Sequence, residues 1–193
     1  MDIDIFVRGF AIVLVLYWRF YWFIKSRVAN KKNPPKILFT PRILFEKIGV
    51  ILFIVIPVLQ LLGWSILPWF HNDFIEILGL ILIGIGVGIA ISARKVLDTN
   101  WAHASDFQIK KGHSLITSGP YKYIRHPIYT GLICAQFGVQ YIVGSYVIFI
   151  IPLITIIGCL VSAIREEKIL SDHFGLNYQQ YKKHSYMFIP YII

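Results

Sequence analysis

Long apolar runs separated by short basic stretches dominate this 193-residue chain and leave few folds open to it. A bilayer core needs about 20 apolar residues in helical form. The runs Ile5–Ile24, Ile48–Trp69 and Phe74–Leu97 meet that length. Two more, Pro127–Ile142 and Tyr146–Ile164, are joined by a short turn around Gly144. The first of this pair spans only about 24 Å at ~1.5 Å per residue, so the two are expected to form a tilted, embedded helical hairpin. With 56% hydrophobic and 15% charged residues and a mean hydropathy of +0.65, the composition is far from that of a soluble domain. The expected fold is all-α: a polytopic membrane protein with five hydrophobic helices, the last two a hairpin. No alternating apolar–polar stretch suggests a β-domain, which excludes a soluble dinucleotide-binding module.

The interruptions are as informative as the runs. Arg8 and Arg19 lie near opposite ends of the first run, where Arg19 can snorkel to the interface beside the belt formed by Tyr17, Trp18, Phe20, Tyr21, Trp22 and Phe23. Lys25–Lys47 holds seven Lys or Arg and the Pro34–Pro35 pair, and reads as an aqueous linker that ends the helix. Pro57 is expected to kink the second run, and residues from Pro68 to Asp73 to form a tight turn. Gly79, Gly84, Gly86 and Gly88 give the third run a smooth face for close packing. The last run is expected to continue as helix past the membrane, through Glu166, Glu167 and Leu170. With the N-terminus outside, the linker, the Asp98–His126 segment and the C-terminal tail face the cytoplasm. Segments 1–4 and 70–73 then carry no Lys or Arg, a positive-inside pattern. The first run follows two Asp residues and ends without a small-residue cleavage site, so it reads as a retained helix. The net charge of +9 lies in the loops, and anionic lipid headgroups explain it more simply than nucleic acid. Cys134 and Cys159 sit inside apolar runs without metal-like spacing.

The polar stretch Gly112–Gly131 is where chemistry is expected. It packs two His, one Arg, three Tyr, two Pro and three Gly into twenty residues. In Arg125-His126-Pro127, proline suits the first helical position, which places His126 at or beside a helix cap whose unpaired N–H groups favour an anion. Arg125 adds a fork able to hold a carboxylate in two bonds. The plainer reading is a basic interfacial flank. Tyr121, Tyr123 and Tyr129 fit either an interfacial belt or a pocket for a flat ring and a cation. Glu166-Glu167 sits at the end of the last helix, against both the helix dipole and the basic trend of that face. Neighbours on a helix differ by about 100°, so at most one is expected to point squarely into a pocket. The alternative is a solvent-facing pair neutralised by Arg165 and Lys168. His103, Asp106 and His113 match no metal-ligand spacing, and no metal is expected.

Together these blocks resemble a known family. The pattern G-x-Y-x-x-x-R-H-P-x-Y-x-G is met by Gly119, Tyr121, Arg125, His126, Pro127, Tyr129 and Gly131, preceded by His113, Leu115 and Ile116. A second block, E-E-x-x-L then F-G-x-x-Y-x-x-Y and a late proline, is met by Glu166, Glu167, Leu170, Phe174, Gly175, Tyr178, Tyr181 and Pro190. This resembles the isoprenylcysteine carboxyl methyltransferase family, within the wider group of integral-membrane methyltransferases that includes phospholipid methyltransferases. The resemblance covers about residues 98–190, and the compact size is similar to that of the prokaryotic branch.

The resemblance implies an S-adenosylmethionine-dependent carboxyl O-methyltransferase with its cofactor site at the cytoplasmic membrane face. Residues 1–97 would hold three transmembrane helices and the basic linker, and residues 98–193 the methyltransferase core. His113, Leu115, Ile116, Gly119, Tyr121, His126, Pro127, Tyr129, Glu166 and Glu167 would line the cofactor. Arg125 or Arg165, with Glu167, would border the transfer site. The substrate would be a lipophilic carboxylate, such as an isoprenylated cysteine, entering sideways from the bilayer. One departure stands out: many relatives carry an Arg just ahead of the late Phe, where this chain has Met187 before Phe188 and His184 as the nearest base. Two other classes remain open: a phospholipid amine methyltransferase, and a non-methylating protein that is either reductase-like and NADPH-dependent or a lipid-binding scaffold.

Overall fold

The computed structural model describes residues 3–32, 54–64, 67–68, 72–97 and 114–190, and the side chains of 28–32 and 148 lie outside that description. Among the described residues all regular elements are helical: α1 (Ile3–Lys32), α2 (Ile56–Leu61), α3 (Asp73–Leu97), α4 (Pro127–Val143), α5 (Ile151–Phe174) and α6 (Leu176–Lys183). Two short 3-10 turns, Gly119–Lys122 and Tyr146–Phe149, precede α4 and α5.

Helix α1 runs past the point where the basic linker was expected to begin. Nothing between Lys25 and Lys32 is Gly or Pro, so no residue there breaks the backbone ladder, and the prolines come later. Its buried face is Val7, Ala11 and Val15, one helical turn apart, while Phe6, Phe10, Val13 and Phe20 point outward. Arg8 is held by Asp4 one turn earlier.

The second run departs further from expectation. Its described part begins with π-helical residues 54–55 and passes at once into the six residues of α2, with Pro57 at the change of helix type. The chain leaves the helix at Leu62 and turns at Gly63, where φ is +104°, well short of Trp69. Residues 48–53, and with them the start of the expected span, lie outside the described residues.

Helix α3 begins at Asp73, earlier than the expected turn allowed. The Asn72 side-chain oxygen accepts from the backbone N–H groups of Phe74 (3.0 Å) and Ile75 (3.2 Å), an N-cap that starts the helix inside the polar stretch. The most extensive helix pairing among the described residues is α3 against α4. It is set by two glycines on each helix, seven residues apart on both. A Cβ on Gly79 would lie 2.6 Å from the Gly138 carbonyl oxygen, and one on Gly86 would lie 2.5 Å from that of Gly131. The reverse substitutions meet the same backbone. The order of these pairs makes the helices antiparallel. Gly84 and Gly88, expected on the same face, meet nothing within 4 Å. Ile83, Val87, Val139, Ile142 and Val143 close the core beside the glycines, with Val7 and Ala11 of α1 and Leu61 of α2.

Gly144, at φ +59°, turns the chain out of α4, and Ser145 Oγ accepts from Val147 N at 3.2 Å to start the next turn. Helices α4 and α5 are thus joined by residues 144–150, with the 3-10 turn Tyr146–Phe149 where the next helix was expected to start, and the main partner of α4 is α3, not α5. Gln60 of α2 and Gln140 of α4 exchange amide hydrogen bonds of 2.9 and 3.3 Å, both side chains fully buried. A reciprocal pair satisfies each amide where water is excluded.

Among the described residues one helix, Asp73–Leu97, is long and apolar enough to cross a membrane by length and composition. The five expected hydrophobic helices are thus not equivalent. Helix α4 has only 17 residues, and α5 carries charges from Arg165 onward. Exposed Phe74, Ile77, Leu78, Ile81 and Ile85 on α3 and Leu153, Ile154, Ile157, Val161 and Ile164 on α5 form apolar outer faces suited to lipid.

The glycine contact yields a test. Gly138→Val should lower the thermal midpoint of the detergent-purified protein strongly, since overpacking backbone against backbone costs about 1–3 kcal/mol or more. Gly84→Val, in open space, should shift it little. Equal effects of the two would place the tight interface elsewhere.

Candidate functional site

Four segments converge beside the start of α4. The first is the 3-10 turn Gly119–Lys122. Gly119 has φ +59°, and a Cβ there would sit 2.8 Å from a methyl of Val96 on α3, so two constraints require glycine. The second is the cap of α4, with His126 as N-cap residue and Pro127 in the first turn. The third is the stretch of α5 that carries Glu166 and Glu167, about two turns before the helix ends at Phe174 and not at its end as expected. The fourth is α6 with the segment that follows it to Pro190.

This last segment is laced to the first two through the backbone. Tyr186 N donates to Tyr123 O at 2.9 Å, Arg125 N to Tyr186 O at 2.7 Å, and His126 N to Met187 O at 3.1 Å. Ile124 and Tyr186 pair as an isolated parallel bridge. Side chains add Tyr181 OH donating to Tyr121 O (2.6 Å) and Thr130 Oγ1 donating to Phe188 O (2.9 Å). Below them Phe188 and Met187 pack on Tyr129, Leu132, Ile133, Cys159, Leu160 and Ala163.

Glu167 is the hub. Its side chain is 6% exposed, and it accepts from Arg125 Nε at 2.6 Å and Lys182 Nζ at 2.7 Å. His126 Nε2 faces the same carboxylate at 3.4 Å, an electrostatic contact without well-formed hydrogen-bond geometry. Burial opposes the charge on Glu167, but His126, Lys182 and Arg125 outweigh it and hold its pKa down at about 2. His126 Nδ1 lies 3.5 Å from Glu166 Oε2, and Tyr129 OH donates to the other Glu166 oxygen. Burial alone would lower the His126 pKa; the two carboxylates outweigh it and raise it above the ordinary value. The His126 ring stacks on Tyr129, with centroids 5.7 Å apart and 16° between planes, and lies tilted against Phe188. Burial raises the phenol pKa values of Tyr121 and Tyr178, and pushes that of Tyr181 up to about 12, so all three stay neutral.

Several expected site residues are thus brought together: Arg125, His126, Tyr129, Glu166 and Glu167, with buried Pro127 behind them and Tyr121 joined through Tyr181. Three details differ from expectation. Both neighbouring glutamates reach the cluster, because His126 sits between them and takes one on each ring nitrogen. They are not neutralised by Arg165 and Lys168, which are exposed on the same helix. And the Arg125 fork is engaged within the chain: beyond Glu167, its Nη1 donates to the Ser185 carbonyl and approaches that of Lys182 at 3.5 Å. Arg165 stays outside the cluster. Leu115 and Ile116 are half-buried in the extended stretch that leads into the 3-10 turn. His113, like His103 and Asp106, lies outside the described residues.

Sequence reasoning missed Lys182, Ser185 and Arg94. Lys182 belongs to a Lys-Lys pair at a helix end, indistinguishable from an interfacial flank. Arg94 is 2% exposed in the last turn of α3, and its charge acts on Tyr121. Its burial depends on the glycine packing, which sequence spacing alone does not place.

The phospholipid methyltransferase family matches residues 74–177. The chain belongs to this family. Its relatives include a protein-S-isoprenylcysteine O-methyltransferase of Schizosaccharomyces pombe, 30% identical over 56% of this chain and 46% of that protein. Methanethiol S-methyltransferase 1 of Bradyrhizobium diazoefficiens is 38% identical over 37% of this chain and 24% of that protein. The structure of the eukaryotic intramembrane Ras methyltransferase ICMT (isoprenylcysteine carboxyl methyltransferase) has the same fold, with a TM-score of 0.66 and 20% identity, covering all of this chain and 69% of that one. The expected kinship with isoprenylcysteine methyltransferases holds. The chain spans about half the length, or less, of the yeast and animal relatives it matches.

The charge network makes stability pH-dependent. Glu167 is depressed from 4.5, so its contribution is complete above pH 4.5 and is lost as pH falls towards about 2. His126 is raised from 6.5, so its contribution is complete below pH 6.5 and is lost as pH rises through its folded value. The thermal midpoint should fall on the acid side below pH 4.5, and Glu167→Gln should flatten that limb. An acid limb unchanged in the variant would remove Glu167 from the hub.

Proposed function

We propose that this protein is an S-adenosylmethionine-dependent methyltransferase acting on the carboxylate of a lipophilic substrate, of the isoprenylated-cysteine type, at the cytoplasmic membrane face. The observation that carries the reading is the buried Arg125–Glu167–His126–Glu166 cluster at the cap of α4, where the C-terminal segment docks, in a chain of this family.

The donor set fits the cofactor. Glu166 and Glu167 offer carboxylates to an ammonium or sulfonium centre. The stacked rings of His126 and Tyr129, with Tyr121, offer aromatic faces to a cation or an adenine. Arg125 offers positive charge to a carboxylate. When bound, the cofactor supplies an electrophilic methyl group on a sulfonium. The chain's own part is positional. A carboxylate acceptor is already ionised at neutral pH, with a reference pKa near ~3.5, so no residue has to remove a proton. What is required is an aligned oxygen, a nearby positive group and exclusion of water. Arg125, 10% exposed and fixed by Glu167 and the Ser185 carbonyl, supplies the positive group. Phe188 and Met187, packed over Tyr129 and Leu132, shield the cluster from water.

The topology follows the same reading: N-terminus outside, with the tail and the cluster cytoplasmic. Exposed apolar residues on α5 end at Ile164, one residue before exposed Arg165, which supports a membrane boundary just above the glutamates. A lipid-borne substrate would enter laterally beside α5. A phospholipid amine methyltransferase is the second reading, favoured by the family's own name; it needs a base, and His126 between two carboxylates is the group available. A methylated headgroup as product would select it.

Calorimetric titration with S-adenosylhomocysteine, with NADPH in parallel, should give micromolar binding of the first and none of the second. Glu167→Ala should weaken that binding more than about tenfold, the worth of one charged hydrogen bond. Arg125→Lys should keep cofactor affinity within a few-fold and cut turnover of a prenylated carboxylate at least about tenfold, because an ammonium cannot hold both Glu167 and the Ser185 carbonyl and still present a donor to the substrate. Binding of NADPH, or none of either ligand, would overturn the methyltransferase reading.

A further inference from the structure

Three cationic side chains meet Glu167, and they are not held alike. Arg125 is locked from behind by backbone carbonyls of the tail, through Nη1 to Ser185 and Lys182. His126 is built into the cap of α4 and buried among Tyr129, Phe188 and the two glutamates. Lys182 is different. It stands at the end of the short helix α6, its side chain is 35% exposed, and its ammonium reaches Glu167 Oε2 at 2.7 Å on a flexible four-carbon stem. The anchors of α6 are other residues: Tyr181 through its hydroxyl to Tyr121, Tyr178 by burial, and Ser185 Oγ donating to Tyr181 O at 2.7 Å. Lys182 can swing into solvent without undoing them.

The two oxygens of Glu167 are also divided. Arg125 takes Oε1, and Lys182 takes Oε2. Removing Lys182 leaves the carboxylate ionised and oriented by Arg125, with one oxygen open to a primary ammonium, the group it has just released.

We infer that Lys182 is an internal stand-in for the ammonium group of the ligand: it caps Glu167 Oε2 in the ligand-free protein and is displaced when an α-amino acid moiety binds. This rests on the methyl-donor reading above and adds to it a positioning residue that lowers affinity while keeping the empty site charge-balanced. The exchange is ammonium for ammonium, so the charge beside Glu167 is the same before and after. A ligand without an amino group has nothing to exchange and leaves Lys182 in place.

The test is calorimetric titration of wild type, Lys182→Met, Lys182→Gln and Lys182→Arg with S-adenosylhomocysteine and with its analogue lacking the α-amino group. Loss of the competitor should tighten S-adenosylhomocysteine binding roughly two- to fivefold in the Met and Gln variants, the worth of a partly exposed ion pair. Binding of the deaminated analogue should be unchanged in all of them. Lys182→Arg should bind like wild type or more weakly, because a cation still occupies the oxygen. Weaker or unchanged binding in Lys182→Met and Lys182→Gln would overturn the inference while leaving the methyltransferase reading intact. Equal tightening of both ligands would overturn it too, as a general loosening of the site. Absence of wild-type binding would overturn both.

Discussion

The end of this molecule where α4 begins depends on one carboxylate held out of water. A buried, ionised Glu167 is tolerable only while cations surround it, and they come from two segments: Arg125 and His126 from the cap of α4, Lys182 from α6. The network therefore closes only when the helix cap, the Glu167 stretch of α5 and the tail are all in place. It specifies the arrangement more than it stabilises it, since buried ion pairs contribute little net free energy. The backbone bridge between residues 123–126 and 186–187 does the complementary work of fixing the register of the tail.

The level of that network is set from inside the apolar core. Gly79 against Gly138 and Gly86 against Gly131 bring two backbones together at two heights, which leaves one register for α4 on α3. The Gln60–Gln140 exchange ties α2 to the same helix. With α4 fixed, His126 at its start and Arg94 at the end of α3 fall at one level, beneath the turn that needs Gly119. Apolar packing positions the polar residues here, because dispersion and small-residue contact are what remain once lipid removes the usual hydrophobic drive between helices.

This explains what could be read in the sequence. The third, fourth and fifth helices follow from apolar run length, and the start of α4 from Arg125-His126-Pro127. The two blocks that carry Arg125, His126, Glu166 and Glu167 were visible as a pattern. The end of the second run at Gly63 was not, because a run rich in Ile, Leu and Val up to Trp69 does not mark where its helix stops. Nor was the difference between Gly79 or Gly86 and Gly84 or Gly88, since glycine spacing gives candidate faces but not the face that meets a partner. Lys182 was hidden for an electrostatic reason. A lysine beside a membrane is ordinary, and only the fold shows that it reaches a buried carboxylate.

The charge count at the cluster links structure to the proposed chemistry. Glu166 and Glu167 contribute two negative charges, and Arg125 and Lys182 two positive ones, so the cluster is neutral with His126 unprotonated and carries +1 when His126 takes a proton. The proposed methyl donor brings a sulfonium, an ammonium and a carboxylate, one positive charge in all. A site holding Arg125, Lys182 and a protonated His126 would repel it. A site that can let Lys182 go to solvent presents two carboxylates against one fixed guanidinium and, while His126 is unprotonated, has room for one further positive charge. The pairing of two adjacent acids with one mobile cation and one titratable ring is the feature of this cluster that suits a cationic ligand, and a purely structural ion-pair network has no use for the adjustable half of it.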